Sequence, residues 1–194
     1  MMSTHTRLYD TWSDAMAVVD RLRAARIPND DISVISPESE DNRVSDGAEA
    51  TAAGSGIGAV LGGSAGALAG VGLLAIPGLG PIVATGWFVS TLAGLAAGAV
   101  AGGVAGGIVD ALTSSGMTPE EAEVYAEAIR RGGTMVTVRT DDSQDALVAR
   151  LLDETPPVNL TEREQLYRES GWTGFDPTLQ PSAADELNRR PPPG

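Results

Sequence analysis

The sequence predicts an α+β fold: a small three-stranded α/β domain, βαβ then αβα, split by a Gly/Ala-rich helical hairpin and followed by a partly disordered tail. Three observations predict it. Both flanks alternate between segments of period 2 and period 3.6, the signatures of strand and helix. A charge-free stretch of 60 residues, Ala50 to Val109, separates the flanks. Beyond residue 154 the chain turns polar and proline-rich, ending in Pro191-Pro-Pro-Gly194.

Each element has a local reason. Thr6-Arg-Leu-Tyr-Asp10 reads as a short strand. Ser13 serves as an N-cap, and Ala15, Val18, Val19 and Leu22 form one apolar helix face that ends before Pro28. Asp31-Ile-Ser-Val-Ile-Ser36 alternates as a half-buried strand. Residues 1–36 are thus one half of the domain, and 37–50 an acidic linker. After the hairpin, 51–110, the other half occupies 111–154. Thr118-Pro119-Glu120-Glu121 combines an N-cap, a first-turn proline and a capping-box glutamate. Ala122, Tyr125, Ala126 and Ile129 are the buried stripe, and Gly132 or Gly133 the stop. Residues 134–140 form a strand and 143–153 a helix with Leu147, Leu151 and Leu152 inward. In the tail, 155–194, Thr161-x-x-Glu164 starts a short helix over 161–169, and 178–194 have a disordered composition. Neither half has enough apolar surface to stand alone, so 6–36 and 118–153 are expected to share one core.

Composition limits the chemistry. The chain has 194 residues, 13 basic and 26 acidic, for a net charge of −13. Every basic residue is Arg; there is no Lys, no Cys, and a single His, His5. No disulfide, thiolate nucleophile, Schiff-base lysine or Walker loop can be built. A Ser-His-Asp relay would have to use His5. The acidic balance opposes nucleic-acid binding. No catalytic, cofactor-binding or metal-ligating residue stands out, and a non-enzymatic role is expected.

The insert carries the strongest pattern. Gly54, Gly58, Gly62, Gly66 and Gly70 are four apart. After Ile76-Pro-Gly-Leu-Gly-Pro81, Gly86 opens a second series, continued by Ser90, Gly94, Gly98, Gly102 and Gly106. On a helix such residues form one ridge almost without side chains, which lets two backbones approach closely. Each interior glycine costs a helix about 1 kcal/mol relative to alanine, so the ladder implies a packing role. Helices over 51–76 and 82–109 would be long enough to cross a bilayer, with Trp87 and Phe88 as interfacial anchors. Their flanks, Asp46, Glu49 and Asp110, lack the usual basic residues. A tightly packed hairpin that oligomerises is the alternative.

Other motifs have plainer readings. Gly54-Ser-Gly56-Ile-Gly58-Ala59 spells a dinucleotide fingerprint, but no strand precedes it and no acidic residue follows before Asp110. Asp30-Asp31 and Asp141-Asp142 read as turn and cap carboxylates, and Arg130-Arg131 as complements to a helix C-terminus. Glu120, Glu121, Glu123 and Glu127 read as a solvated helix face. Trp172 and Phe175, aromatic in a polar tail, dock either on their own domain or on a protein partner.

Leu8-Tyr-Asp, Ala15, Val18-Val19, Leu22, Ile27 and Asp31-Ile-Ser-Val-Ile35 together resemble the YflT-type heat-induced general stress proteins of bacteria. The insert and Glu121-Ala-x-x-Tyr-Ala-x-x-Ile-Arg-Arg-Gly-Gly133 are similar to glycine-zipper membrane members of that family. The resemblance covers about residues 6–140 and implies a stress-associated protein without site residues to carry over. The resulting expectation is a structural, protective or anchoring element in the bacterial inner membrane. Its partners would be the lipid bilayer and copies of itself, with both termini cytoplasmic. The alternative is a cytoplasmic oligomeric scaffold that recruits partners through its tail.

Overall fold

The computed structural model describes residues 2–37, 72–76, 79–88 and 107–179. Among these are five strands and five α-helices in a mixed α+β arrangement. They are β1 (Met2–Tyr9), α1 (Trp12–Ala24), β2 (Ile32–Pro37), β3 (Gly72–Ile76), β4 (Gly80–Thr85), α2 (Ile108–Ser114), α3 (Pro119–Arg130), β5 (Thr134–Asp141), α4 (Asp145–Asp153) and α5 (Leu160–Glu169).

One sheet joins all the strands, in the order β1-β5-β2-β4-β3, every neighbouring pair antiparallel. β5 sits between β1 and β2 and pairs with both: Val136 lies opposite Arg7 on one side and Val34 on the other. The two flanks of the chain therefore share one sheet. Residues 32–36 of β2 and 134–138 of β5 are all buried, as expected for central strands covered on both faces.

Side-chain alternation sorts the core into two layers. On one face α1 and α4 bring Trp12, Val18, Val19, Leu22, Val148, Leu151 and Leu152 against Tyr9, Ile32, Val34, Val136 and Val138. On the other, α2, α3 and α5 bring Ile108, Leu112, Ala122, Tyr125, Ile129 and Tyr167 against Leu8, Ile35, Ile82 and Met135.

The sheet has five strands rather than three, and part of the expected hairpin supplies the extra two. Residues 72–76 and 80–85 are not the inner ends of two helices; they are β3 and β4, laid onto β2. Ile82 and Val83 are β-branched and suit a pleated surface. Pro81 stands opposite Ala75, beyond the last β2–β4 pair (Pro37 opposite Ile82), where its missing N–H leaves no gap in the β2–β4 ladder. The Pro-Gly-x-Gly-Pro break is thus the connection between two strands. Helix α2 is a further element absent from the expected order. Gly54, Gly58, Gly62, Gly66, Gly70, Gly94, Gly98, Gly102 and Gly106 lie outside the described residues, as do 38–50 of the linker and 180–194 of the tail.

Helix starts differ slightly from expectation. Thr11, rather than Ser13, caps α1, accepting from the Asp14 amide. The Thr118–Glu121 capping box of α3 is present in both directions. Asn159 caps α5 through its Oδ1, leaving Glu164 to pair with Arg168.

Helix ends follow one rule. After α1, α2, α3 and α5 a residue turns left-handed, and the next amide bonds back five residues. The left-handed residues are Arg26, Gly116, Gly132 and Gly171. The returning amides are Ile27 to Leu22 O, Met117 to Leu112 O, Gly133 to Ala128 O and Trp172 to Tyr167 O. Arg26 is the one non-glycine residue with positive φ among those described, at 65°.

Two backbone substitutions test this geometry by urea denaturation. Arg26→Gly should raise stability by about 1 kcal/mol, because a side chain in the left-handed region costs about that much. Gly86→Ala should lower stability by more than that. Gly86 has φ +82°, and an added Cβ would sit 2.0 Å from the Ile32 carbonyl oxygen.

Candidate functional site

The two glycine-rich segments, 38–71 and 89–106, join the described body at defined points. The first runs from the end of β2 to the start of β3. The second leaves after Phe88 and returns at Gly107, the N-cap of α2. Phe88 is fully buried with Ile108, Ala111 and Leu112 in the same cluster, so both ends of this segment are held together.

Gly86 makes the departure possible. Expected at the head of a helical ridge, it lies in a left-handed bend, pressed against the β2 backbone at Ile32. The bend lets the Phe88 amide donate to Ser33 Oγ at 3.1 Å, which satisfies a buried polar pair. Trp87 and Phe88, expected as membrane-interface anchors, pack against this body. Phe88 is core, and Trp87 packs edge-on to it at 5.3 Å, with the Arg139 guanidinium 4.7 Å from the indole centroid. Arg139 also bonds Asp31 at 3.1 Å, tying β5 to the turn before β2.

The C-terminal arm, residues 155–179, folds back on α3 and β1. Gly171 ends α5 with the motif described above, and that motif aims Trp172 at Tyr167, ring centroids 6.0 Å apart. Trp172 and Phe175 are partly buried against the α3 face of the core. The Phe175 amide donates to Glu123 Oε2 at 3.4 Å, and Arg163 ion-pairs with Asp10. Both aromatics are therefore seated, partly buried, on their own domain.

Beneath the arm lies a charge cluster that the sequence did not reveal. Glu127, expected on a solvated face, is 1% exposed. Its two oxygens accept from Arg130 Nη2 and Nε, at 2.5 and 2.8 Å, and from Arg131 Nε at 2.5 Å. Arg130 and Arg131 are each 8% exposed, and Arg131 lies 4.2 Å over the Tyr167 ring. Both guanidiniums sit at the C-terminal end of α3, where the helix dipole favours positive charge. The pair i, i+3 and i, i+4 of an acidic residue was the available signal; that α5 would cover it was not.

Burial pushes the Tyr125 and Tyr167 hydroxyls up to about 12, so both remain neutral donors at neutral pH. The one histidine is engaged: His5 Nε2 lies 2.7 Å from Asp145 Oδ1. That hydrogen bond, with one from Ser3, holds the Asp145 carboxyl below its ordinary value. Asp141 is lowered by the hydroxyl and amide of Ser143 and acts as the turn carboxylate before α4. Among the described residues no group of three or more His, Asp and Glu side chains is placed to hold a metal ion. Comparison with protein-family models, with curated proteins and with solved structures gives no match.

Trp172→Ala should lower stability by about 1–3 kcal/mol, the order for losing a partly buried aromatic, measured by urea denaturation. An unchanged midpoint would mean that the indole adds nothing to the docked arm.

The His5–Asp145 contact predicts a pH dependence with a definite sign. Asp145 has a folded-state pKa below its unfolded value. Its contribution is therefore complete above the ordinary Asp value and is lost as pH falls through the folded one. Asp145→Asn should lower the melting temperature at pH 7, and the difference from the parent should close as pH drops below the usual carboxylate range.

Proposed function

We propose that this chain is a non-enzymatic assembly element, in which an acidic α/β domain presents glycine-rich segments that pack against those of other copies. One observation carries the reading. β2, β3 and β4 are neighbours in one sheet, and Phe88 and Ile108 share one cluster, so each glycine-rich segment starts and finishes on the same folded body.

This arrangement favours association over a spanning hairpin. The hairpin needs 72–85 at the far side of a bilayer, yet 82–85 pair with β2 and 72–76 pair in turn with β4. A full crossing takes about 20 residues, and an excursion that returns takes two. Residues 38–71 number 34 and residues 89–106 number 18. Among the described residues no helix is long and apolar enough to cross a membrane. The four-residue glycine spacing supports close backbone packing, and the absence of charge from 50 to 109 supports a contact that excludes water. The lack of Lys and Cys, and the use of the sole histidine in a hydrogen bond to Asp145, support a role without catalysis. The resemblance to bacterial stress proteins fits a protective or scaffolding role.

A bilayer-surface role is the second reading, favoured by the 60 charge-free residues. One experiment separates the two. The expressed protein is fractionated with a carbonate wash, and the parent, Gly62→Leu and Gly98→Leu are compared by chemical cross-linking. Large cross-linked species in the soluble fraction, lost in both leucine variants, are the expected result. Retention in washed membranes would replace this reading with the bilayer one. Leucine variants that cross-link like the parent would remove the glycine ladder as a packing surface.

A further inference from the structure

We propose that the C-terminal arm is an intramolecular guard on the free edge of β1, and that its withdrawal lets β1 pair with β1 of a second copy. β1 is an outermost strand of eight residues, a natural template for another chain. The direction of its free hydrogen-bonding groups can be read from contacts. Leu8 O accepts the Val158 amide at 2.8 Å, so the Leu8 carbonyl points away from β5. Strand periodicity turns the carbonyls and amides of Thr4 and Thr6 the same way. The contacts agree: Thr6 O accepts from Arg7 Nη1 at 3.0 Å and from the Tyr125 hydroxyl at 3.4 Å.

These caps occupy the groups that self-pairing would need. In an antiparallel pair of β1 strands centred on Thr6, Thr6 bonds its own copy and the Leu8 carbonyl receives the Thr4 amide of the other chain. Val158 holds that Leu8 carbonyl. None of the caps is a strand, so none offers a new edge in turn.

The occupant is a second copy because of charge. The chain carries −13, and most of its surfaces repel their own kind. β1, Met2-Ser-Thr-His-Thr-Arg-Leu-Tyr9, contains no carboxylate. In the Thr6-centred register Arg7 faces His5, Thr4 faces Leu8, and no two arginines meet.

The arm is built to move as a piece. Pro156-Pro157 precedes Val158, and of α5 only Tyr167 is fully buried. Arg163–Asp10, Arg131 over Tyr167, Phe175 on Glu123 and the core packing of Leu160 and Trp172 are among its other ties.

Because the chain has no cysteine, Thr6→Cys provides a single reporter at the centre of the proposed contact. Disulfide-linked dimer is quantified under mild oxidation for Thr6→Cys alone and in two further backgrounds. One is truncated after Thr155. The other carries Val158→Pro, which removes the capping N–H and extends an existing proline run. Circular dichroism confirms that Val158→Pro is folded, so the test survives if the truncated chain is not. The expected result is little dimer in the first protein, a several-fold rise in both others, and reversal by Thr4→Pro, which removes the incoming amide at an edge position that tolerates proline. No rise in folded Val158→Pro overturns the proposal. So does a rise that Thr4→Pro leaves in place, since the contact would then lie elsewhere. Gly62→Leu and Gly98→Leu should leave this signal unchanged, which separates it from assembly through the glycine ladder.

Discussion

The pairing of β5 with both β1 and β2 is the constraint on which the rest of the structure depends. The strands flanking β5 come from the beginning of the chain, and β5 itself from beyond residue 130. Closing that loop carries an entropic penalty that grows only slowly with the number of residues enclosed, so an intervening insert is tolerated. What β5 contributes in exchange is burial: Met135 faces one helical layer, Val136 and Val138 the other. Once the sheet is closed, everything between β2 and α2 must leave and return on its terms. β3 and β4 are the first consequence, since β2 would otherwise expose an edge that is buried on both faces.

Four left-handed stops then decide where the helices hand their chains on. Each directs the following residue back over its own helix, and in three cases that residue is apolar: Ile27, Met117 and Trp172. The stop at Gly171 matters most for function. It converts a tail aromatic into a contact with Tyr167 and folds the arm over the Glu127–Arg130–Arg131 cluster. All three charged residues lie on α3 or its C-cap, and the arm meets them through the Tyr167 ring under Arg131.

The charge distribution links the two proposed associations. An acidic body keeps copies apart in general, and the charge-free insert and β1 are exceptions on separate stretches of chain. In the proposed assembly the first is the contact; the second is capped by Val158, Arg7 and Tyr125. A protein that assembles through one surface gains from closing its other sticky edge, because two contacts of different symmetry would build open-ended aggregates.

Local signals were sufficient wherever the chemistry is local. Thr118 and Glu121 announce their own capping box, Gly132 its own helix stop, and the alternation of 31–36 and 134–140 its own strands, because neighbouring residues supply all the partners. The α+β class and the joining of the flanks follow from apolar faces that neither half can bury alone. The tertiary structure decided what depends on distant partners. The segments 72–76 and 80–85 mix glycine, proline and apolar residues compatible with helix or strand, and only the open edge of β2, extended by β4, made them strands. Gly86 shares the spacing of a ladder, yet the carbonyl of Ile32 gives it a different task. Glu127 reads as surface until the arm covers it, and Trp172 reads as docking on its own domain or on a partner until Gly171 turns it onto Tyr167. In each case the side chain is the same in both settings, and its burial is set by an element far away in sequence.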